Sequence, residues 1–428
     1  MRYRLVNEPW ILRGYIPEFI ELAGRELWDK RISELRKFGF RSPYCERILS
    51  DYHWVELTLA DELAVRNSEG SSHQSKPPDP VSSRALRFCQ AIVETYRSVS
   101  EFGHKSLQGR IRDALQSPMG FSSLYQEMDM AGQLISRGYE VTMPDLDGTG
   151  NADLSFTKDF LRYELECKSL SADAGRKIHR RGFYEFMDAI SPDLLFRARV
   201  SGAREIIAIT LEDRLPTHSS ERGKLLDAAR QICRGDERTI SGAGFNIARE
   251  SYSKFFSDFP PMSEKQFYVQ VKNIFGQSCH VAGNQTDFGR CILVMRSNKP
   301  DDHSKPQLEA MKAAAKQLSP LLPGFIALQY NDVSSTDLRL PHLRRRAGLL
   351  AGYLFFKTRA DHVVGVHISA FGAISVAADK VEYPGILILN PNCRFYVADL
   401  PFSEELTDKD FEEILTDAPF PLSDGKQI

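Results

Sequence analysis

The residues best suited to carry chemistry lie at 150–169, in the stretch GNADLSFTKDFLRYELECKS. Residues 152–157 and 161–168 both alternate polar and apolar side chains, which predicts the two strands of a β-hairpin. Side chains two apart on a strand share a face, so Glu166 and Lys168 point the same way. If residues 158–161 form the loop, antiparallel pairing of the two strands places residues whose numbers sum to 319 opposite each other. Asp153 then faces Glu166, with Cβ atoms about 5 Å apart.

Two carboxylates facing each other across a sheet repel, and burying both without compensation is costly. A divalent cation removes that objection. Oxygen ligands favour a hard ion such as Mg²⁺, which keeps several waters and takes one or two carboxylates. Lys168 would then lie beside the cation, where an ammonium can hold an attacking water or neutralise charge that builds on a phosphate.

This arrangement resembles the PD-(D/E)XK nuclease superfamily, whose core is a helix, a three-stranded meander, a second helix and a fourth strand. The resemblance is carried by Asp153, by Glu166, Cys167 and Lys168 as the E-x-K element, and by Glu127 in the preceding helical run. It implies a nuclease in which Asp153 and Glu166 ligate Mg²⁺, for which Mn²⁺ can substitute. Lys168 would orient the attacking water or stabilise the transition state, and Glu127 would assist.

The fold implied by the resemblance is α/β, with a restriction-endonuclease-like core that covers residues 122–215. Within that range, the run LYQEMDMAGQLISRGYEV predicts the first helix and the strand that follows it. The fourth strand is expected at residues 204–211, REIIAITL, because a continuous apolar run is typical of a strand buried on both faces.

Other interpretations of the same charges remain open. Alternating Glu and Lys is also ordinary on a solvated hairpin face. The loop PDLDGTGNAD offers Asp145, Asp147 and Asp153 to a calcium ion, although an EF-hand count from Asp145 puts Phe156 where the bidentate Glu belongs. Inside the nuclease interpretation, Asp145 of the Pro-Asp dipeptide or Asp147 could add a ligand. A member of the superfamily that binds nucleic acid or assembles without cutting it is the alternative function.

A basic run follows the hairpin and consists of Arg176, Lys177, His179, Arg180 and Arg181. An exposed helix start accounts for such a cluster on any protein surface. Beside a phosphate-cleaving centre, however, it would bind backbone phosphates independently of sequence. DNA is the expected partner, with RNA as a second option, because the superfamily is dominated by DNA-cutting members. Cutting both strands usually needs two active sites, which suggests a homodimer.

Patterning along the chain predicts four segments. Residues 1–66 are mainly helical and hold all three tryptophans, and residues 67–83, NSEGSSHQSKPPDPVSS, read as a linker or mobile loop. Residues 84–215 form the nuclease core. Residues 216–428 alternate strands and helices, which predicts a C-terminal α/β region that could extend the core sheet.

Composition narrows the function classes. The net charge is −2, so contacts with nucleic acid must come from local patches. Seven scattered cysteines without a C-x-x-C pair indicate reduced thiols and argue against a zinc ribbon. No apolar run reaches the ~18 residues of a transmembrane helix, and a phosphate-binding G-x-x-x-x-G-K-[ST] loop is lacking. We therefore expect a cytoplasmic protein that neither enters a membrane nor drives translocation with ATP.

Overall fold

The computed structural model divides the chain into two units. Unit 1 comprises Met1–Lys37, Leu49–Ala174 and Ser304–Ile428, and unit 2 comprises Phe38–Ile48 and Gly175–His303. The structure describes residues 8–69, 78–171, 173–200, 204–251, 253, 255, 264–276, 278–285, 289–331, 341–370, 375–377, 380–382, 385–397 and 400–402.

The described residues form helices and strands that we number in chain order. Helices α1–α14 span Pro9–Gly14, Ile16–Ala23, Arg25–Gly39, Pro43–Tyr52, Trp54–Glu69, Pro80–Ser98, Glu101–Gln116, Ser122–Ser136, Pro144–Asp147, Arg180–Val200, Ser219–Arg234, Glu264–Phe275, Ser304–Gln317 and Pro341–Lys357. Strands β1–β13 span Glu140–Thr142, Leu154–Lys158, Leu161–Leu170, Arg204–Leu211, Thr239–Gly242, Phe245–Ser251, His280–Gln285, Arg290–Ser297, Gly324–Tyr330, Val363–Ala370, Ser375–Ala377, Lys380–Glu382 and Gly385–Leu389.

A six-stranded mixed sheet in the order β1-β2-β3-β9-β10-β13 runs through unit 1. The first three strands form an antiparallel meander, β9 and β10 run parallel to β3, and β13 is antiparallel to β10. One face packs against α8 and the N-terminal helices, and the other against α13 and α14. The fold class is therefore α/β, as predicted, with helices on both faces of the sheet.

The β2-β3 hairpin has the predicted register. Leu154 pairs with Leu165 and Ser155 with Glu164, so the facing numbers sum to 319. The connection is a two-residue turn, Asp159 and Phe160, whose φ values are 50° and 68°. Two successive positive φ values are typical of a type I′ turn, whose twist matches that of the flanking strands. Because apolar residues alternate along each strand, a slip by one residue would move them to the face that holds Glu164 and Glu166.

The strand beside β3 is not the predicted one. Strand β4, Arg204–Leu211, belongs to a different sheet, and β3 pairs instead with β9, where Glu166 lies next to Ile326. The helix before β9 is α13, so Gly175–His303 is inserted between β3 and this helix. The prediction of a strand at 204–211 is confirmed, but its place in the core sheet was wrong, because an apolar run indicates burial without indicating the sheet that buries it.

The predicted segment boundaries differ from the division seen in the structure. The proposed core at 84–215 is split at Ala174, and residues 38–48 of the N-terminal segment belong to unit 2. Other N-terminal helices share the apolar core of unit 1, where the ring centroids of Phe19 and Trp28 lie 5.6 Å apart. Asp79 caps α6 within the predicted 67–83 linker, and residues 70–77 lie outside the described residues, as do residues 403–428 of the predicted C-terminal region.

Unit 2 is built on a five-stranded sheet in the order β5-β6-β4-β8-β7. Strands β4 and β8 are parallel, and the other neighbours are antiparallel. Helices α10 and α11 share the larger apolar cluster with this sheet, and α12 shares the smaller. Of the helices that the structure describes, none combines the length and the apolar character needed to cross a membrane.

Candidate active site

Asp153 and Glu166 meet at the start of the hairpin, where β2 begins opposite the middle of β3. The backbone N–H of Asp153 donates to Glu166 Oε2 at 3.3 Å, and the N–H of Cys167 donates to Asp153 Oδ2 at 2.8 Å. The Glu166 side chain is fully buried, and Asp153 is 8% exposed. These contacts place Asp153 beside Glu166, as the predicted hairpin register requires.

Lys168 is held over Glu166 by two hydrogen bonds. Its Nζ donates to Glu166 Oε1 at 2.6 Å and to Gln317 Oε1, at the end of α13, at 2.8 Å. Gln317 gave no sequence signal because its contact depends on the packing of α13 against β3. Glu164, two residues before Glu166, has a different role: it accepts the N–H of Ser319 at 2.6 Å and so fixes the loop that leads to β9.

Glu127, on α8, is paired with Arg110 of α7, which also pairs with Asp145. Arg110 Nη1 donates to Glu127 Oε2 at 2.8 Å, and Arg110 Nη2 donates to Asp145 Oδ2. Arg110 was not predicted from the sequence, although it follows the fully buried Leu107 by three residues, a spacing that puts both on one helix face. Arg110 therefore engages the carboxylate of the Pro-Asp dipeptide.

Burial raises the carboxyl pKa values of this site, and mutual repulsion adds to the effect. The pKa of Glu127 is raised to about 8 by burial first and then by the Asp153 charge. The pKa of Glu166 is raised to about 7 by burial and by Asp153, against the opposing influence of Lys168. Burial also raises the pKa of Asp153. Burial would lower the pKa of Arg110, but its acidic neighbours outweigh burial and raise it. The site thus has an excess of negative charge.

This excess has a consequence for stability that can be measured. A carboxyl whose pKa is higher in the folded than in the unfolded chain stabilises the folded state most below its ordinary pKa. We expect the unfolding free energy of the metal-free protein to fall as pH rises from about 4.5 towards 8, the span between the ordinary pKa of Glu127 and its raised value. Each shifted group contributes up to about 1.4 kcal/mol per pH unit.

Urea unfolding at pH 5, 6.5 and 8 measures this slope, and the double variant Glu127→Gln, Glu166→Gln is the control. The double variant lacks two of the groups with raised pKa values, so its stability should depend less on pH. Equal slopes in the two proteins would contradict the prediction.

The calcium interpretation of residues 145–153 is not favoured by the geometry. Asp147 Oδ1 accepts the N–H and the hydroxyl of Ser100 at 2.9 and 2.7 Å, at the start of α7. Asp145 is paired with Arg110, and Asp153 accepts the N–H of Cys167. Each of the three acidic side chains therefore has a different partner. Burial raises the pKa of Cys167 well above its usual value, which fits a core thiol.

The predicted phosphate-binding residues lie in unit 2, at and before the start of α10. Two of them form ion pairs within that unit: Lys177 Nζ lies 3.2 Å from Asp213 Oδ1, and Arg181 Nε lies 3.2 Å from Glu185 Oε1. Arg176, His179 and Arg180 belong to the same stretch. All five are part of the inserted segment rather than of the unit that holds Asp153 and Glu166.

Comparison with protein-family models, with curated proteins and with solved structures finds no match for this chain. Function must therefore be inferred from the side chains themselves. Among the described residues, no group of three or more His, Cys, Asp or Glu side chains is arranged so that it could hold a metal ion. Arg110 forms ion pairs with Glu127 and Asp145, and Lys168 forms one with Glu166.

Proposed function

We propose that this protein is a metal-dependent nuclease that hydrolyses phosphodiester bonds, with DNA as the substrate. The observation that carries the proposal is the contact of Asp153, Glu166 and Lys168 at the start of one hairpin. If Lys168 served only in a structural ion pair, one of the two acids would be enough. A second acid buried beside the first adds electrostatic repulsion, which a bound cation would relieve.

The donor set suits Mg²⁺ better than a softer metal. Asp153 and Glu166 offer oxygen atoms, and Mg²⁺ commonly binds through one or two carboxylates while retaining water. Burial raises the pKa of both carboxyls, and the Asp153 charge adds to the rise at Glu166, so a bound cation would relieve both effects. Mn²⁺ has similar ligand preferences and is expected to substitute.

The order of elements in unit 1 also supports the proposal. Helix α8, the β1-β2-β3 meander, helix α13 and strand β9 follow one another as in the PD-(D/E)XK core, with β9 parallel to β3. The inserted segment Gly175–His303 separates the first four elements from the last two. In this comparison the acidic pair and Lys168 would correspond to the D and E-x-K positions of that core.

The residues of the chain would share the work as follows. A bound Mg²⁺ would supply Lewis acidity and lower the pKa of the attacking water. Asp153 and Glu166 would hold the ion, and the Lys168 ammonium would orient the water or stabilise the negative charge that grows on the phosphate. The water oxygen forms a bond to phosphorus and gives up a proton to solvent, while one ester P–O bond breaks and the departing oxygen takes up a proton from solvent. Glu127, which is paired with Arg110, would assist.

Charge distribution supports nucleic-acid binding by the inserted unit. Unit 2 contains 22 Lys and Arg against 17 Asp and Glu, whereas the remainder contains 33 against 40. Arg176, Lys177, His179, Arg180 and Arg181 fall in the positive unit. Exposed ion pairs such as Arg181 with Glu185 are weak, so a phosphate can compete for the arginine. Binding through such contacts should weaken steeply with added salt.

A cleavage panel tests the proposed function. The purified protein is incubated with supercoiled plasmid, linear duplex DNA, single-stranded DNA and RNA, each with Mg²⁺, with Mn²⁺ and with EDTA. We expect cleavage of at least one DNA substrate with either metal and none with EDTA. DNA binding without cleavage under every metal condition would overturn the proposal and favour a non-catalytic nucleic-acid-binding protein instead.

A further inference from the structure

Arg110 contacts two of the four carboxylates at this site and has no role in the chemistry proposed above. It lies on α7, one residue before the fully buried Ile111, and its side chain is 28% exposed. It donates to Glu127 and to Asp145 with different terminal nitrogens, so one guanidinium bridges α8 and α9. This forked geometry is suited to two carboxylates, and a guanidinium does not lose its proton in proteins.

One divalent cation would balance the charges of the site. When ionised, Glu127, Asp145, Asp153 and Glu166 carry four negative charges, and Arg110 and Lys168 carry two positive charges. The remainder equals the charge of one divalent cation. With a second divalent ion the site would be as strongly positive as it was negative, and this ion would lie next to a guanidinium that cannot be neutralised.

We infer that Arg110 takes the place of a second metal ion, so that the site binds one divalent cation per chain, between Asp153 and Glu166. This inference rests on the proposed function, since it assigns the metal stoichiometry of the same site. Arg110 acts as a positioning residue: it keeps Glu127 and Asp145 occupied and leaves the other two acids to the ion.

Metal stoichiometry, rather than cleavage, tests the inference. Mn²⁺ is titrated into the full-length protein, and the free ion is measured by its paramagnetic resonance signal. We expect one bound Mn²⁺ for the wild type. We expect Arg110→Gln, which removes the charge but keeps much of the side-chain length, to bind a second ion at least about tenfold more tightly than the wild type does. Arg110→Lys keeps the charge and should still bind one.

Arg112 provides the matched control, because it lies on the same helix but is exposed. Arg112→Gln should bind one ion, and circular dichroism checks that every variant is folded. The inference would be overturned if the wild type bound two ions of similar affinity, or if folded Arg110→Gln bound a single ion. In either case, metal-dependent cleavage by the wild type would still support the proposed function. A wild type that binds no Mn²⁺ would overturn both.

Discussion

Replacing Lys168 with methionine is expected to slow DNA cleavage by roughly 100- to 1,000-fold while the protein stays folded. Lys168 Nζ lies 2.6 Å from Glu166 Oε1 and 2.8 Å from Gln317 Oε1, so its ammonium is fixed at the site before substrate arrives. Methionine fills similar space but cannot donate a hydrogen bond or carry charge. Single-turnover cleavage of a labelled duplex in saturating Mg²⁺ measures the loss, because substrate binding and product release then do not limit the rate.

The control is Lys316→Met, because Lys316 is exposed and precedes Gln317 on α13. This substitution replaces another lysine of the same unit, one that does not contact Glu166. The Lys316→Met protein should therefore cut DNA at the wild-type rate. Glu166 is fully buried, so loss of the Lys168 ammonium costs stability when no metal is bound. Folding of Lys168→Met is therefore compared with and without Mg²⁺. A folded Lys168→Met protein that cuts as fast as the wild type would exclude Lys168 from the chemistry.

The hairpin was predictable because every signal that defines it is local. Strand alternation at 152–157 and 161–168 sets the faces, and the short connection sets the register, so Asp153 falls opposite Glu166. The same holds for α8, where apolar spacing and Gly138, with φ of 82°, mark a helix and its end. Within one hairpin or one helix, the distance between two residues in space follows from their separation in sequence, so their contacts can be predicted.

Other features of unit 1 depend on contacts between segments far apart in sequence. Strand β4 and strand β9 are both apolar, and nothing in either run says which one pairs with β3. Gln317 reaches Lys168 only because α13 packs on β3. Arg110 could be placed on the buried side of α7 from its spacing to Leu107, but its pairing with Glu127 and Asp145 needs three helices to meet.

Two glutamates on β3 offer a comparison between a chemical and a structural role. Glu164 and Glu166 lie two residues apart on the same strand, share a face and are both buried. Glu166 adjoins a second acid and has a pKa raised to about 7, whereas Glu164 accepts a backbone N–H from Ser319. A charge-removing substitution should therefore have opposite effects on stability at the two positions.

At pH 8 without metal, we expect Glu166→Gln to be more stable than the wild type by about 1–3 kcal/mol. The ordinary pKa of a glutamate is about 4.3, and each unit by which folding raises it corresponds to about 1.4 kcal/mol of cost for the ionised form. Glutamine removes that cost and still accepts hydrogen bonds through its amide oxygen. The same variant should lose Mg²⁺-dependent stabilisation and cleave at least about 100-fold more slowly.

The Glu164→Gln protein should cleave DNA within a few-fold of the wild-type rate. Its stability should be unchanged or lowered by about 1 kcal/mol, because a charged acceptor bonds a backbone N–H more strongly than an amide oxygen does. Urea unfolding at pH 8 with and without Mg²⁺, together with single-turnover cleavage, separates the two variants. If Glu166→Gln destabilises the metal-free protein and leaves its response to Mg²⁺ intact, Glu166 is a structural partner of Lys168 and not a ligand of the metal.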